Sequence, residues 1–191
     1  LIITSPDAKA GRKMILTPPP AKIWAEKNKI PYVQPATTAE LLQIFSSDKA
    51  VIARGVEKKI WEAELFIVVA YGKIIPESIL NMPKWGSINV HYSLLPKYRG
   101  ASPVESAILN GETETGVTIQ KMAYKLDSGD ILAQEKAKIE SDETAPELRK
   151  RLIKIGADLL LETLPEYLDS KILPVPQYET FATHCGKIKK E

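Results

Sequence analysis

Leu65-Phe66-Ile67-Val68-Val69-Ala70 is apolar at six successive positions, and its reading decides the fold. A strand with one wet face alternates, whereas one that is apolar throughout is expected to be covered on both faces, as strands inside a parallel sheet are. Tyr71-Gly72 turns the chain at its carboxyl end, and Pro76 to Leu80 suits a short helix. A second buried strand, Gly86-Ser87-Ile88-Asn89-Val90-His91, then ends unusually in polar groups. Working outward, Pro103 to Asn110 predicts a helix with proline in its first turn and Gly111 after its end. Thr115 to Met122 alternates, with Val117, Ile119 and Lys121 on one face. Leu126-Asp127-Ser128-Gly129-Asp130 is a turn, and Ile131 to Ile139 returns as a strand. Thr144 opens a long amphipathic helix towards Leu168, because Leu148, Leu152, Ile155, Leu159 and Leu160 recur three or four apart. The tail after Asp169 is expected to be extended.

On the amino-terminal side, Leu1 to Thr4 reads as the end of a strand already under way. Ser5 to Pro20, with Pro6, Gly11 and three successive prolines, predicts an exposed loop without regular hydrogen bonding. A helix over Ala21 to Lys27, a short strand at Tyr32-Val33, and a helix capped by Thr37 or Thr38 and running through Phe45 follow. Lys49 to Ala63 reads as mixed helix interrupted by Gly55. Alternating strands and helices make an α/β fold with a mainly parallel sheet.

The 191 residues suit one domain. With 26 basic against 24 acidic residues, the net charge of +2 excludes an overall cationic field, so a polyanionic partner has to meet a local patch. The 44% apolar fraction is enough for a core. Cys185 is the lone cysteine and His91 and His184 the only imidazoles, so no internal disulfide and no metal site is expected. No apolar run approaches the roughly 18–20 residues of a membrane span, and the reading is a soluble, cytoplasmic protein.

In open α/β sheets ligands sit at the carboxyl ends of strands. Asn89 and His91 lie two apart on one strand, so both side chains share a face there. Asp127, in the turn after the next strand, can reach His91 or a substrate amine. An amide, an imidazole and a carboxylate suit acyl transfer to an amine. Asn89 can donate to a developing oxyanion, His91 can exchange a proton near neutrality, and Asp127 can orient it. Cys185 falls in a polar tail and no Gly-x-Ser-x-Gly elbow occurs, which favours direct amine attack over a covalent intermediate. The same residues equally suit a hydrogen-bonded strand end and an ordinary Asp-Ser-Gly turn.

Asn89-Val90-His91-Tyr92-Ser93-Leu94-Leu95-Pro96-Lys97-Tyr98-Arg99-Gly100 resembles the signature of the folate-dependent formyltransferases. Val69 to Pro76, Gly111 to Thr118 and Leu126 to Asp130 resemble further segments of that family, in its order. The resemblance implies a Rossmann-like three-layer fold and 10-formyltetrahydrofolate as co-substrate. It also implies Asn89, His91 and Asp127 as the catalytic group. Ser93, Leu94, Leu95 and Pro96 would contact the folate, and Ala70, Tyr71, Gly72 and Ile74 would form a wall of its pocket. Ser5 to Pro18 looks like the loop of those members that act on initiator methionyl-tRNA, which implies that Arg12 and Lys13 help to place the tRNA end. Other members use a sugar-nucleotide amine or glycinamide ribonucleotide, and a non-catalytic folate- or tRNA-binding fragment is the remaining alternative. The family pattern implies a first strand ahead of Leu1 and a C-terminal β-barrel beyond residue 191. Residues 1–186 would therefore be the catalytic domain, with a monomer favoured, and residues 187–191 the start of a linker. Tyr92 stands where the family often has a small residue, which implies a narrowed pocket mouth.

Overall fold

The computed structural model of the chain describes residues 1–11, 13–46, 51–53, 56–58 and 62–188. Contacts divide it into two compact units: Leu1–Glu64 with Lys73–Pro83, and Leu65–Gly72 with Lys84–Glu191.

In the first unit, β1 (Ile2–Ile3) is followed by β2 (Ala8–Ala10) and β3 (Ile15–Thr17), which pair antiparallel, Ala8 opposite Thr17 and Ala10 opposite Ile15. The segment expected to be an irregular loop is thus largely a hairpin. Its prolines cluster outside the paired residues, which keep their N–H groups, and Gly11 takes a φ of +70° beside the turn. Helix α1 (Pro20–Lys27) starts on proline and buries Ala25, leading to β4 (Tyr32–Val33), which pairs parallel to β1. Helix α2 (Thr38–Ser46) is capped by Thr37, whose Oγ1 accepts the Glu40 N–H at 3.1 Å, while the Glu40 carboxylate accepts the Ala36 N–H at 2.8 Å. Where mixed helix was expected, β5 (Val51–Ala53) and β6 (Val56–Lys58) pair antiparallel, in keeping with the extended preference of valine and isoleucine. Asp7 joins the hairpin to α1 and β4 by accepting from Lys22 Nζ at 2.6 Å and Gln34 Nε2 at 2.9 Å.

In the second unit, β7 (Phe66–Val69) pairs parallel to β8 (Ser87–His91), whose other edge meets β10 (Glu114–Lys121) antiparallel. Strand β11 (Ile131–Lys138) completes the order β11-β10-β8-β7 among the described residues, again antiparallel. The parallel pairing read from the apolar run is the β7–β8 edge, and beyond β8 the sheet is antiparallel. Between β8 and β10 run the short strand β9 (Arg99–Gly100) and helix α4 (Pro103–Leu109); the short helix α3 (Glu77–Leu80) belongs to the first unit.

The core is one face of this sheet under α5 (Ala145–Leu168). Ile88, Val90, Val117 and Ile119 line that face, and Leu148, Leu152 and Leu159 of the helix descend onto it. Thr144 and Glu147 form a reciprocal cap at the helix start, as their spacing predicts. Gly156 allows close approach, since a Cβ there would stand 2.9 Å from Val90 Cγ1. The helix packs over β10 and β11, touches β8 and leaves Ile67 and Val69 at the sheet's edge 46% and 47% exposed, so β7 is not covered on both faces as its composition predicts. Tyr92 packs on this same core, its ring facing Gly156, rather than at a pocket mouth.

Candidate active site

The period of two that buries Ile88 and Val90 under α5 sends Asn89 and His91 to the opposite face. Register adds two more side chains to that face: Gln120 lies opposite Asn89 and Thr118 opposite His91. Asn89 is half-buried, and His91, Thr118 and Gln120 are buried.

His91 is held at both ring nitrogens. Nε2 lies 2.9 Å from the Tyr98 carbonyl oxygen, and Nδ1 lies 3.8 Å from Oδ1 of Asp127. A carbonyl only accepts, so the proton sits on Nε2 and the Nδ1 lone pair of the neutral ring faces the carboxylate. Asp127 takes a φ of +48°, a left-handed conformation uncommon outside glycine, and its turn closes on Gly129, where a Cβ would collide with the Lys121 carbonyl. Its Oδ1 accepts from Gln120 Nε2 at 3.0 Å and its Oδ2 from the Gly100 N–H at 2.8 Å. The structure therefore brings His91 and Asp127 together and sets Asn89 beside His91 on the same strand face.

The loop after His91 is anchored from below. Thr118 Oγ1 donates to the Ser93 carbonyl at 2.6 Å and accepts from the Leu95 N–H at 3.1 Å and from Gln134 Nε2 at 2.9 Å. The fully buried Ser93 hydroxyl donates to the Lys97 carbonyl at 2.6 Å, and Leu95 is buried, so Leu94 and Pro96 are the more open members of the expected folate-contacting set. Ala70, Tyr71 and Gly72 close β7, with Ala70 at φ +47° and Gly72 at φ +73°. The Tyr71 hydroxyl is enclosed and lacks a hydrogen-bond partner among the described residues, and burial pushes it above the usual phenol range. Ile74 belongs to the first unit and is 78% exposed. Lys13 is exposed beside the hairpin, and Arg12 lies outside the described residues.

Several supporting groups escape a reading of the sequence. Arg99 is fully buried; its Nε and Nη2 donate to Gln177 Oε1 at 3.0 and 2.9 Å, and its Nη1 donates to Glu179 at 2.8 Å. Lys125 also meets Glu179, at 2.7 Å, and these two cations, Lys125 first, pull the Glu179 carboxyl down to about 2. Cys185, expected in a polar tail, is buried: the strand β12 (His184–Cys185) pairs parallel to β9, and Sγ lies 3.4 Å from the same Tyr98 carbonyl that receives His91. Thr118 and Gln120 were discoverable, since alternation makes them the polar face of β10. Gln177, in an extended tail, carries no local signal.

Residues 1–164 match the Formyl transferase family, to which the chain belongs. More particularly, it is 42% identical over 193 residues to the methionyl-tRNA formyltransferase of Halalkalibacterium halodurans, a match covering all of this chain and 56% of that protein. It is 44% identical over 190 residues to the methionyl-tRNA formyltransferase of Listeria monocytogenes, covering all of this chain and 57% of that protein. The chain thus spans a little over half the length of these curated relatives. The fold matches the formyltransferase PseJ from Anoxybacillus kamchatkensis, crystallised with UDP-4,6-dideoxy-4-formamido-L-AltNAc and tetrahydrofolate, with a TM-score of 0.63 at 22% identity over 97% of this chain and 84% of that one.

Proposed function

We propose that this chain carries the formyl-transferring part of an enzyme that moves a formyl group from 10-formyltetrahydrofolate to the amine of initiator methionyl-tRNA, in the cytoplasm. The observation that carries the reading is the His91–Asp127 pair, 3.8 Å apart on the strand face that also bears Asn89, in a chain over 40% identical along its whole length to methionyl-tRNA formyltransferases.

The amine nitrogen attacks the formyl carbon, the new C–N bond forms, and the carbonyl oxygen becomes an oxyanion. Asn89 donates its amide N–H to that oxygen. With Nε2–H committed to Tyr98, His91 offers a second donor only after Nδ1 gains a proton, and Asp127 stabilises that cation. The proton lost by the amine passes through this pair to the folate nitrogen, which leaves as the C–N bond to it breaks. Leu94, Pro96, Ala70, Tyr71 and Gly72 are the residues that would hold the folate, and the enclosed Tyr71 hydroxyl, without a hydrogen-bond partner among the described residues, supports a polar ligand atom there. Ser93 and Leu95 serve it through the shape of their loop. The hairpin bearing Lys9 and Lys13, with Arg12, would meet acceptor phosphates, so binding should weaken as salt rises.

The test offers the chain 10-formyltetrahydrofolate with charged initiator tRNA, a UDP-amino sugar or glycinamide ribonucleotide, and identifies the formylated product. Formyl-methionyl-tRNA is the expected product; transfer only to another amine would overturn the assignment. Arg12→Ala should weaken use of the tRNA more than use of the folate.

A further inference from the structure

Gln177 lies 50 positions beyond Asp127, in the extended segment after α5, yet its amide donates to two backbone carbonyls of the catalytic turn. We infer that Gln177 is a positioning residue: its amide, oriented by the buried Arg99 guanidinium, clamps the backbone of the Asp127 turn and holds the carboxylate towards His91. The catalytic meaning of the clamp rests on the formyl-transfer reading above.

A glutamine amide has an accepting end and a donating end, and Arg99 decides which faces the turn, because a guanidinium has only donors. Two of those donors, at 3.0 and 2.9 Å, converge on Oε1 of Gln177. Nε2 is thereby committed to the other side, where it donates to the Asp127 carbonyl at 3.0 Å and the Gly129 carbonyl at 2.7 Å. It also lies 3.4 Å from Oε1 of Gln120. That contact turns the accepting end of Gln120 towards Gln177 and leaves the donating end on Asp127 Oδ1, 3.0 Å away. The direction of every hydrogen bond from Arg99 to the carboxylate follows from one buried cation.

The clamp answers a specific need. The left-handed backbone of Asp127 is disfavoured for an L-residue and persists only where its surroundings over-determine it. Gln177 fixes the backbone leaving that residue by holding the carbonyls of Asp127 and Gly129, while the Gly100 N–H takes the remaining carboxylate oxygen.

Two variants of the full chain test this. Gln177→Glu keeps oxygen acceptors for Arg99 and removes the donors to the two carbonyls; Gln177→Met fills the space with neither donor nor charge. In both, the Gly100 amide should lose at least about tenfold of its protection against hydrogen exchange, because its acceptor is no longer held. Turnover should fall roughly 10- to 100-fold in kcat, with KM for the folate within about twofold. The Gln177→Glu thermal midpoint should fall modestly, because two carbonyls lose their donor while the new carboxylate gains the Arg99 charge. A folded variant with unchanged Gly100 protection, or with unchanged kcat, overturns the clamp, as does a kcat loss that only tracks the fraction unfolded. The exchange arm needs no turnover. If the parent chain formylates no amine, the functional reading fails while Gly100 exchange still decides whether Gln177 holds the turn.

Discussion

The Tyr98 carbonyl oxygen lies 2.9 Å from Nε2 of His91, and that contact determines which ring nitrogen carries the proton. The neutral imidazole must be the Nε2–H tautomer, with Nδ1 open towards Asp127. Nitrogen-15 spectra of the neutral ring should show a protonated Nε2 and a bare Nδ1; the opposite pattern would contradict the proposed route of the proton through Nδ1.

Asp127→Asn is expected to damage more than catalysis. Both carboxylate oxygens accept, one from Gln120 and one from the Gly100 N–H, whereas an asparagine accepts at one position and presents an NH₂ at the other. One donor is left facing another donor, at a cost of roughly 1–3 kcal/mol. Activity should fall about 10²- to 10⁴-fold as the charge opposite His91 is lost. Denaturant melts beside kinetics check both, and an unchanged melt would mean that these two hydrogen bonds are not made in solution.

How far the sequence foretold this arrangement depends on whether the determining physics is local. Asn89 and His91 share a strand, so period-two geometry placed them on one face without knowledge of the rest, and the Thr144–Glu147 cap is equally local. The pairing of Ala8–Ala10 with Ile15–Thr17 differs from the loop that composition predicts, because prolines dominate the surroundings while standing outside the paired residues. The burial of Cys185 and the reach of Gln177 are long-range facts: each depends on a carboxyl-terminal segment returning to β9 and to the Asp127 turn, and no periodicity announces that return.

The Glu179 ion pair predicts a defined acid response. Lys125 first and Arg99 second hold its carboxyl at about 2, below the roughly 4.3 expected in the unfolded chain. A depressed folded value means stabilisation that is complete above the unfolded value and lost as pH falls through the folded one. Thermal midpoints of the parent and of Glu179→Gln should differ most at neutral pH and converge between about pH 4.3 and 2. A gap that stays constant across that window would remove the ion pair as its cause.

Gly100 should tolerate no side chain, and Gly111 supplies the control. Both have positive φ, +127° and +67°, but an added Cβ at Gly111 meets open space, whereas at Gly100 it would collide with the Cys185 carbonyl. That obstacle is backbone and cannot rotate away, and β9 and β12 would have to separate to make room. Gly111→Ala should then cost about 1–2 kcal/mol for its left-handed backbone alone. Gly100→Ala should cost more than that, in the range of about 3–5 kcal/mol reached when a structural constraint is broken. Separation of the strands also withdraws the Gly100 N–H from Asp127, so activity should drop with stability in Gly100→Ala and survive in Gly111→Ala. Urea titrations of the two variants make the comparison, and equal losses would show that the close approach of β9 to β12 does not hold the site together.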